Sequence, residues 1–204
     1  MACRLTVFAS SLFVFATLSA APDGKAVYMK ECASCHGEKG EGDPKKEGPR
    51  LAGKPLWELT WQIERFRKGE RPSSPKDAAG LAMKKALENV KDGETIKAVL
   101  EFANGLKTPA ASETLSGDAK NGENTFALCS TCHGTKGEGN ESLKAPRLSA
   151  MEGWYLAAQL RKFRTGERGN DASDAQGYPM GLMVQQIPSD KAVHDLIAYI
   201  RTLP

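Results

Sequence analysis

The sequence predicts an all-α chain built as two tandem copies of one small domain. Three observations carry that prediction. A C-x-x-C-H pentapeptide occurs at residues 32–36 and again at 129–133. The offset of 97 residues between them aligns much of the chain downstream of each copy. In both copies apolar residues recur at helical spacing between glycine-rich loops.

The N-terminal residues 1–20 read as a cleaved secretory signal. Arg4 is the only charge there, residues 5–18 form an apolar run broken only by small polar residues, and Leu18-Ser19-Ala20 offers small residues for cleavage after Ala20. The run falls short of the roughly 20 apolar residues that a membrane span needs. Cleavage removes Cys3 and leaves four cysteines, all within the two pentapeptides. None then remains for a disulfide, a nucleophile or a further metal ligand. Oxidising surroundings outside the cytoplasm suit that inventory. Loss of Arg4 also takes one unit from a net charge of only +3, which gives no argument for nucleic acid.

The first domain spans 21–103, a linker 104–117 and the second domain 118–204. Residues 24–34 and 119–131 are predicted helices, each carrying an aromatic (Tyr28, Phe126) about one turn ahead of the first cysteine. Residues 37–53 and 134–150 are dense in Gly, Pro and Lys and read as loops. Residues 56–68 place Trp57, Trp61, Ile63 and Phe66 on an amphipathic helix, and 154–164 do the same with Leu156, Leu160 and Phe163. A polar loop comes next in each copy and carries Met83 or Met180. Residues 94–104 and 191–203 close the domains, with Val99 and Phe102 matched by Leu196 and Tyr199. The linker has turn residues, small residues and one proline. The offset also relates Pro49-Arg50-Leu51 to Pro146-Arg147-Leu148 and Gly69-Glu70-Arg71 to Gly166-Glu167-Arg168. It fails upstream, where Asp23 lies 9 residues before Cys32 but Asp118 lies 11 before Cys129.

C-x-x-C-H is the attachment signature of c-type haem. Thiols three positions apart on one helical turn reach the two vinyl groups on one edge of a porphyrin, and the adjoining histidine offers its imidazole to the iron. Cys32, Cys35 and His36 are the candidates in the first copy, and Cys129, Cys132 and His133 in the second. A thioredoxin-like pair would need a βαβ setting, and neither motif has one. One zinc ribbon would need the two pairs about 15–20 residues apart, and zinc leaves the histidine after each pair unexplained. The cofactors are therefore expected to be two haem c groups. Each domain, at about 90 residues, is marginal as a protein core alone, so the porphyrin serves as core and the chain without it should fold poorly.

One axial position per iron remains. Met83 and Met180 stand at equivalent places, three residues after Gly80 and Gly177 and seven before an apolar residue, Val90 or Ile187. A thioether is a soft ligand that favours ferrous iron and raises the reduction potential. Met183 is the rival in the second copy, but its counterpart is Ala86; Met29 and Met151 have no methionine counterpart. His194, the one histidine outside the motifs, is matched by Lys97 and reads as a solvated helix residue. Pro49 and Pro146 shape the loop facing each histidine, where a backbone carbonyl could accept the imidazole N–H. Arg50 and Arg147 are candidates for pairing with haem propionates, and solvation is the alternative. Trp57 and Trp154 read as packing residues.

The two C-x-x-C-H-G motifs, Pro49-Arg50-Leu51-Ala52-Gly53, and residues 59–71 with their repeat 156–168 resemble the dihaem cytochrome c4 family, over nearly the whole mature chain. The resemblance implies two class I cytochrome c domains about a pseudo-two-fold axis. It implies His/Met ligation, carried here by His36 with Met83 and His133 with Met180. It implies a periplasmic carrier of single electrons, with a respiratory donor and a terminal acceptor such as a haem–copper oxidase as protein partners, and it leaves room for peripheral membrane association. Two other classes compete. A dihaem peroxidase needs an open coordination site, which matched methionines oppose, and a His/Cys-ligated thiosulfate enzyme needs a further cysteine. The cytochrome subunit of a larger dehydrogenase, such as a flavocytochrome that oxidises sulfide, would carry the same domains and stays open.

Overall fold

The computed structural model describes residues 21–109 and 116–204. The expected signal segment 1–20 and residues 110–115 of the expected linker lie outside the described residues. The first copy comprises α1 (Gly24–Glu31), α2 (Ala33–His36), α3 (Leu56–Arg67), α4 (Ala78–Ala86) and α5 (Gly93–Gly105). The second comprises α6 (Ala119–His133), α7 (Gly153–Arg164), α8 (Gly177–Val184) and α9 (Asp190–Ile200). Short 3-10 turns at Pro44–Lys46 and Leu87–Asn89 complete the first copy. The described residues contain no strand, only the matched isolated bridges Asp43 to Gly48 and Asn140 to Ala145.

Side-chain caps fix where most of these helices start. Asp23 accepts from the Ala26 amide at 3.0 Å, Asp118 from Lys120 at 2.9 Å, Asp92 from Thr95 at 2.8 Å and Ser189 from Ala192 at 3.1 Å. Each satisfies an amide that the first helical turn leaves without a partner.

In each copy the first and last helices cross closely, α1 on α5 and α6 on α9. Glycine makes the approach feasible. A Cβ on Gly24 would lie 2.1 Å from the Ala98 carbonyl oxygen, and one on Gly122 would lie 2.0 Å from that of Asp195. An aromatic pair seals each crossing, Tyr28 with Phe102 at 5.2 Å between ring centroids and Phe126 with Tyr199 at 5.3 Å. Around these lie two separate apolar cores. Leu59, Val90, Ile96, Val99 and Leu100 form one, and Leu156, Phe163, Val184, Ile187, Leu196 and Ile200 form the other.

The register misfit ahead of the cysteines has a local cause. Phe126 sits three residues before Cys129 inside one continuous helix, whereas Tyr28 sits four before Cys32, where α1 stops and α2 restarts. One residue is thus added at the break in the first copy, and α6 starts three residues earlier relative to the glycine at the crossing.

The methionines depart from expectation. The segments predicted as polar loops are partly helical, and Met83 lies on α4 and Met180 on α8. In α4 the sequence AAGLAMKKA is rich in strong helix formers, which outweigh one glycine.

Candidate functional site

Both C-x-x-C-H segments end a helix, α2 in the first copy and α6 in the second, and both terminal histidines are buried. His36 Nδ1 lies 2.8 Å from the Pro49 carbonyl oxygen, and His133 Nδ1 lies 2.8 Å from that of Pro146. A carbonyl only accepts, so Nδ1 carries the proton and Nε2 keeps its lone pair. Burial lowers both imidazole pKa values below the ordinary value, against the opposing pull of the carbonyl bond and, at His133, of Glu58. Each ring is therefore a neutral nitrogen donor at pH 7. The loop carbonyl expected beside the repeated proline is the proline's own.

The four motif cysteines form no disulfide, so all four remain available to a ligand. Burial, helped by nearby Glu31 and Cys35, pushes the Cys32 thiol up to about 11. Burial, helped by Cys132, does the same to Cys129.

An apolar cavity of about 470 Å³ runs between the two copies and is bordered by His36, Met83, His133 and Met180. All four of these sequence-predicted residues thus border the one cavity. Met183 borders the cavity too, but it is 40% exposed, whereas Met180 packs against the core of its domain. Met151 is a buried core residue. His194 is exposed on α9 and does not border the cavity.

The expected arginines do not reach the cavity. Arg50 donates to the Thr108 carbonyl. Arg147 donates to the Ser149 hydroxyl at 3.0 Å and the Pro204 carbonyl at 3.4 Å. Neither borders the cavity. The buried arginines that do border it at matched positions are Arg71 and Arg168. Each lies over a phenylalanine of its own copy, Arg71 at 4.5 Å from Phe66 and Arg168 at 4.6 Å from Phe163. Each also donates to a glutamine one helix back, Gln62 at 2.5 Å and Gln159 at 2.6 Å. The Nε atom of each is buried without a hydrogen-bond partner. Burial lowers the pKa of both, that of Arg168 to about 9. Two buried cations with spare donors at an apolar cavity suit a ligand bearing carboxylates. The sequence signal for them was their place in the repeat, Gln-x-x-x-Phe and then Gly-Glu-Arg in both copies.

The donor set therefore fits a porphyrin in each copy: paired thiols, a neutral imidazole, a soft thioether, apolar walls, and cations for the carboxylates. With a helical fold and two such sites in tandem, the class is a dihaem c-type cytochrome.

The comparisons agree with that class. The cytochrome c family model matches residues 21–106 and again 119–204. The chain is 32% identical over 166 residues to cytochrome c4 of Azotobacter vinelandii, covering 76% of this chain and 77% of that protein. It is 29% identical over 174 residues to a thiosulfate dehydrogenase electron acceptor of Stutzerimonas stutzeri strain A1501, covering 78% of each. The crystal structure of reduced recombinant cytochrome c4 from Pseudomonas stutzeri matches with a TM-score of 0.64 at 27% identity, over 90% of this chain and all of that one.

The chain belongs to the cytochrome c family and, within it, to the cytochrome c4 proteins. Membership implies two covalently bound haem c groups at the two C-x-x-C-H motifs, and a role in electron transfer rather than catalysis.

Proposed function

We propose that this chain is a periplasmic carrier of single electrons between a respiratory donor and a terminal acceptor such as a haem–copper oxidase. The observation that supports it best is the matched pair of sites, each placing a buried neutral imidazole and a thioether on one apolar cavity. Cys32 with Cys35, and Cys129 with Cys132, hold the groups covalently. His36 with Met83, and His133 with Met180, would hold the iron of each group. When bound, haem c supplies a one-electron ferric/ferrous couple, which thioether ligation poises at high potential.

The chain's own residues do the rest. The Pro49 and Pro146 carbonyls fix each imidazole's tautomer and plane. Arg71 and Arg168 offer buried Nε donors to carboxylates. The apolar lining keeps water from the sites. A donor of the dehydrogenase class is supported by likeness to a protein named as a thiosulfate dehydrogenase electron acceptor. Co-purification with a flavoprotein would favour the alternative, a subunit of a larger dehydrogenase. Export by cleavage after Ala20 puts the protein in the periplasm, and N-terminal sequencing of the mature holoprotein should begin at Ala21.

A redox titration of the holoprotein tests the carrier reading, monitoring the far-red band that reports methionine sulfur on ferric iron. Two one-electron steps at positive potential with full band intensity are expected. Met83→Ala and Met180→Ala should each remove one haem's share of the band and lower one step. One haem without the band, binding cyanide readily in the native protein, would replace the carrier with a catalytic reading.

A further inference from the structure

Two buried ion pairs cross between the copies. On α7, Lys162 Nζ lies 2.8 Å from Asp77 Oδ1 and 2.6 Å from Glu47 Oε2, both of the first copy. On α3, Arg65 pairs with Asp174 of the second copy, and its Nε lies 3.2 Å from Glu70 Oε2. Arg65 and Lys162 are related by the offset of 97, and so are Asp77 and Asp174. One pair is thus the other carried through the internal two-fold relation, the pattern of a self-complementary interface. The four side chains are 1–4% exposed. The Glu47 contact does not repeat in this way. Lys144, the counterpart of Glu47, is a cation and lies over Trp57 at 5.7 Å.

Each aspartate also holds the start of a methionine-bearing helix. Asp77 accepts from the Gly80 amide at 2.9 Å on α4, and Asp174 accepts from the Gly177 amide at 2.7 Å on α8. Met83 and Met180 come three residues after those glycines. Glycine is needed at both places because the carboxylate lies against the backbone. A Cβ on Gly80 would lie 2.3 Å from Asp77 Oδ2, and one on Gly177 would lie 1.9 Å from Asp174 Oδ2. The repeated Gly-x-x-Met thus marks a helix start closed over by an aspartate that the opposite copy neutralises.

We propose that this crossed clamp positions each methionine from the other domain: Lys162 acts through Asp77 on Met83, and Arg65 acts through Asp174 on Met180. The inference rests on the reading of Met83 and Met180 as axial ligands. Lys162 and Arg65 are positioning residues. Removing the cation leaves a carboxylate buried without its partner. It must then swing out or draw in water, and in either case the first turn that fixes the methionine loosens. A weaker thioether bond favours the ferric state, so the potential of that haem falls.

The test is a redox titration with far-red spectra on holoprotein variants. Met83→Ala and Met180→Ala first assign the two steps and the two shares of the band to the domains. Lys162→Met should lower the step assigned to Met83 and dim only its share of the band, although Lys162 belongs to the second domain. Arg65→Met should do the reverse, and Lys162→Arg should restore the native spectrum. If Lys162→Met fails to load haem, Asp77→Asn, which keeps an acceptor for the Gly80 amide, should shift the same step. A shift of the step in the variant's own domain, of both steps equally, or of neither overturns the clamp. If Met83→Ala leaves band and potentials unchanged, the ligand assignment fails and takes the clamp with it.

Discussion

The Tyr28 hydroxyl donates to the Gly37 carbonyl at 2.8 Å, tying the helix ahead of the first haem motif to the residue just after it. Burial, with Cys32 and Glu41 nearby, raises the phenol's pKa far above the ordinary value, so the hydroxyl stays protonated and can donate. Phe126 fills the same place in the second copy without a hydroxyl. Tyr28→Phe keeps the ring contact with Phe102 and removes only the bond. It should cost about 1 kcal/mol, the usual net worth of a neutral hydrogen bond. Denaturant titration of the holoprotein measures it, and the Gly37 carbonyl's access to water sets how far below that value the cost falls.

Gly122→Ala should be the more damaging change. Its Cβ would meet the Asp195 carbonyl oxygen at 2.0 Å, backbone that α9 cannot move without parting from α6. About 1–3 kcal/mol is expected, the range for overpacking in a close contact. Gly93→Ala is the control, because a Cβ there meets nothing within 4 Å. Thermal melts of the two variants should separate clearly, with Gly93→Ala near the parent.

Much of this fold was legible because the chain states it twice. The offset of 97 residues exposed two domains, their closing helices and the matched histidines and methionines. What it missed has physical reasons. Gly80 and Gly177 read as loop residues, yet each serves a helix start where a carboxylate lies against the backbone. Pro179 falls in the first turn of α8, where its missing amide costs nothing. Arg65, Lys162, Asp77 and Asp174 each look like solvated charge, because the partner that buries each one lies in the other copy. Arg50 and Arg147 drew attention beside a repeated proline, but they lie off the cavity, whereas Arg71 and Arg168 border it at matched positions with buried, unpartnered Nε atoms.

Acid should dissolve the Asp77 contribution. Burial opposes the charge on Asp77, but Lys162, the Gly80 amide and Arg71 outweigh it and hold the carboxyl below its ordinary pKa of 3.8. A carboxyl depressed in the folded state adds stability that is present above the unfolded pKa and lost as pH falls through the folded one. The native protein should therefore be more stable than Asp77→Asn at pH 6, and the difference should shrink below about pH 4. Chemical denaturation of both proteins at a series of pH values reads this directly. A gap that widened on acidification would assign the depression to another group.

Loss of haem should undo one domain at a time. The cavity bordered by His36, Met83, His133 and Met180 is too large for these two small cores to close by collapse, and a dry void forfeits the contacts of every side chain around it. Cys32→Ser with Cys35→Ser removes covalent attachment in the first copy only. Far-UV circular dichroism should then show partial loss of helix, and limited proteolysis should cut within residues 21–109 before 116–204. The crossed ion pairs set the extent of the damage. With Asp77 no longer held in place, Lys162 loses its buried partner, so the second domain should retain its haem yet melt at a lower temperature than in the native protein. An unchanged melting temperature for the second domain would mean that the two copies are energetically independent despite their shared buried charges.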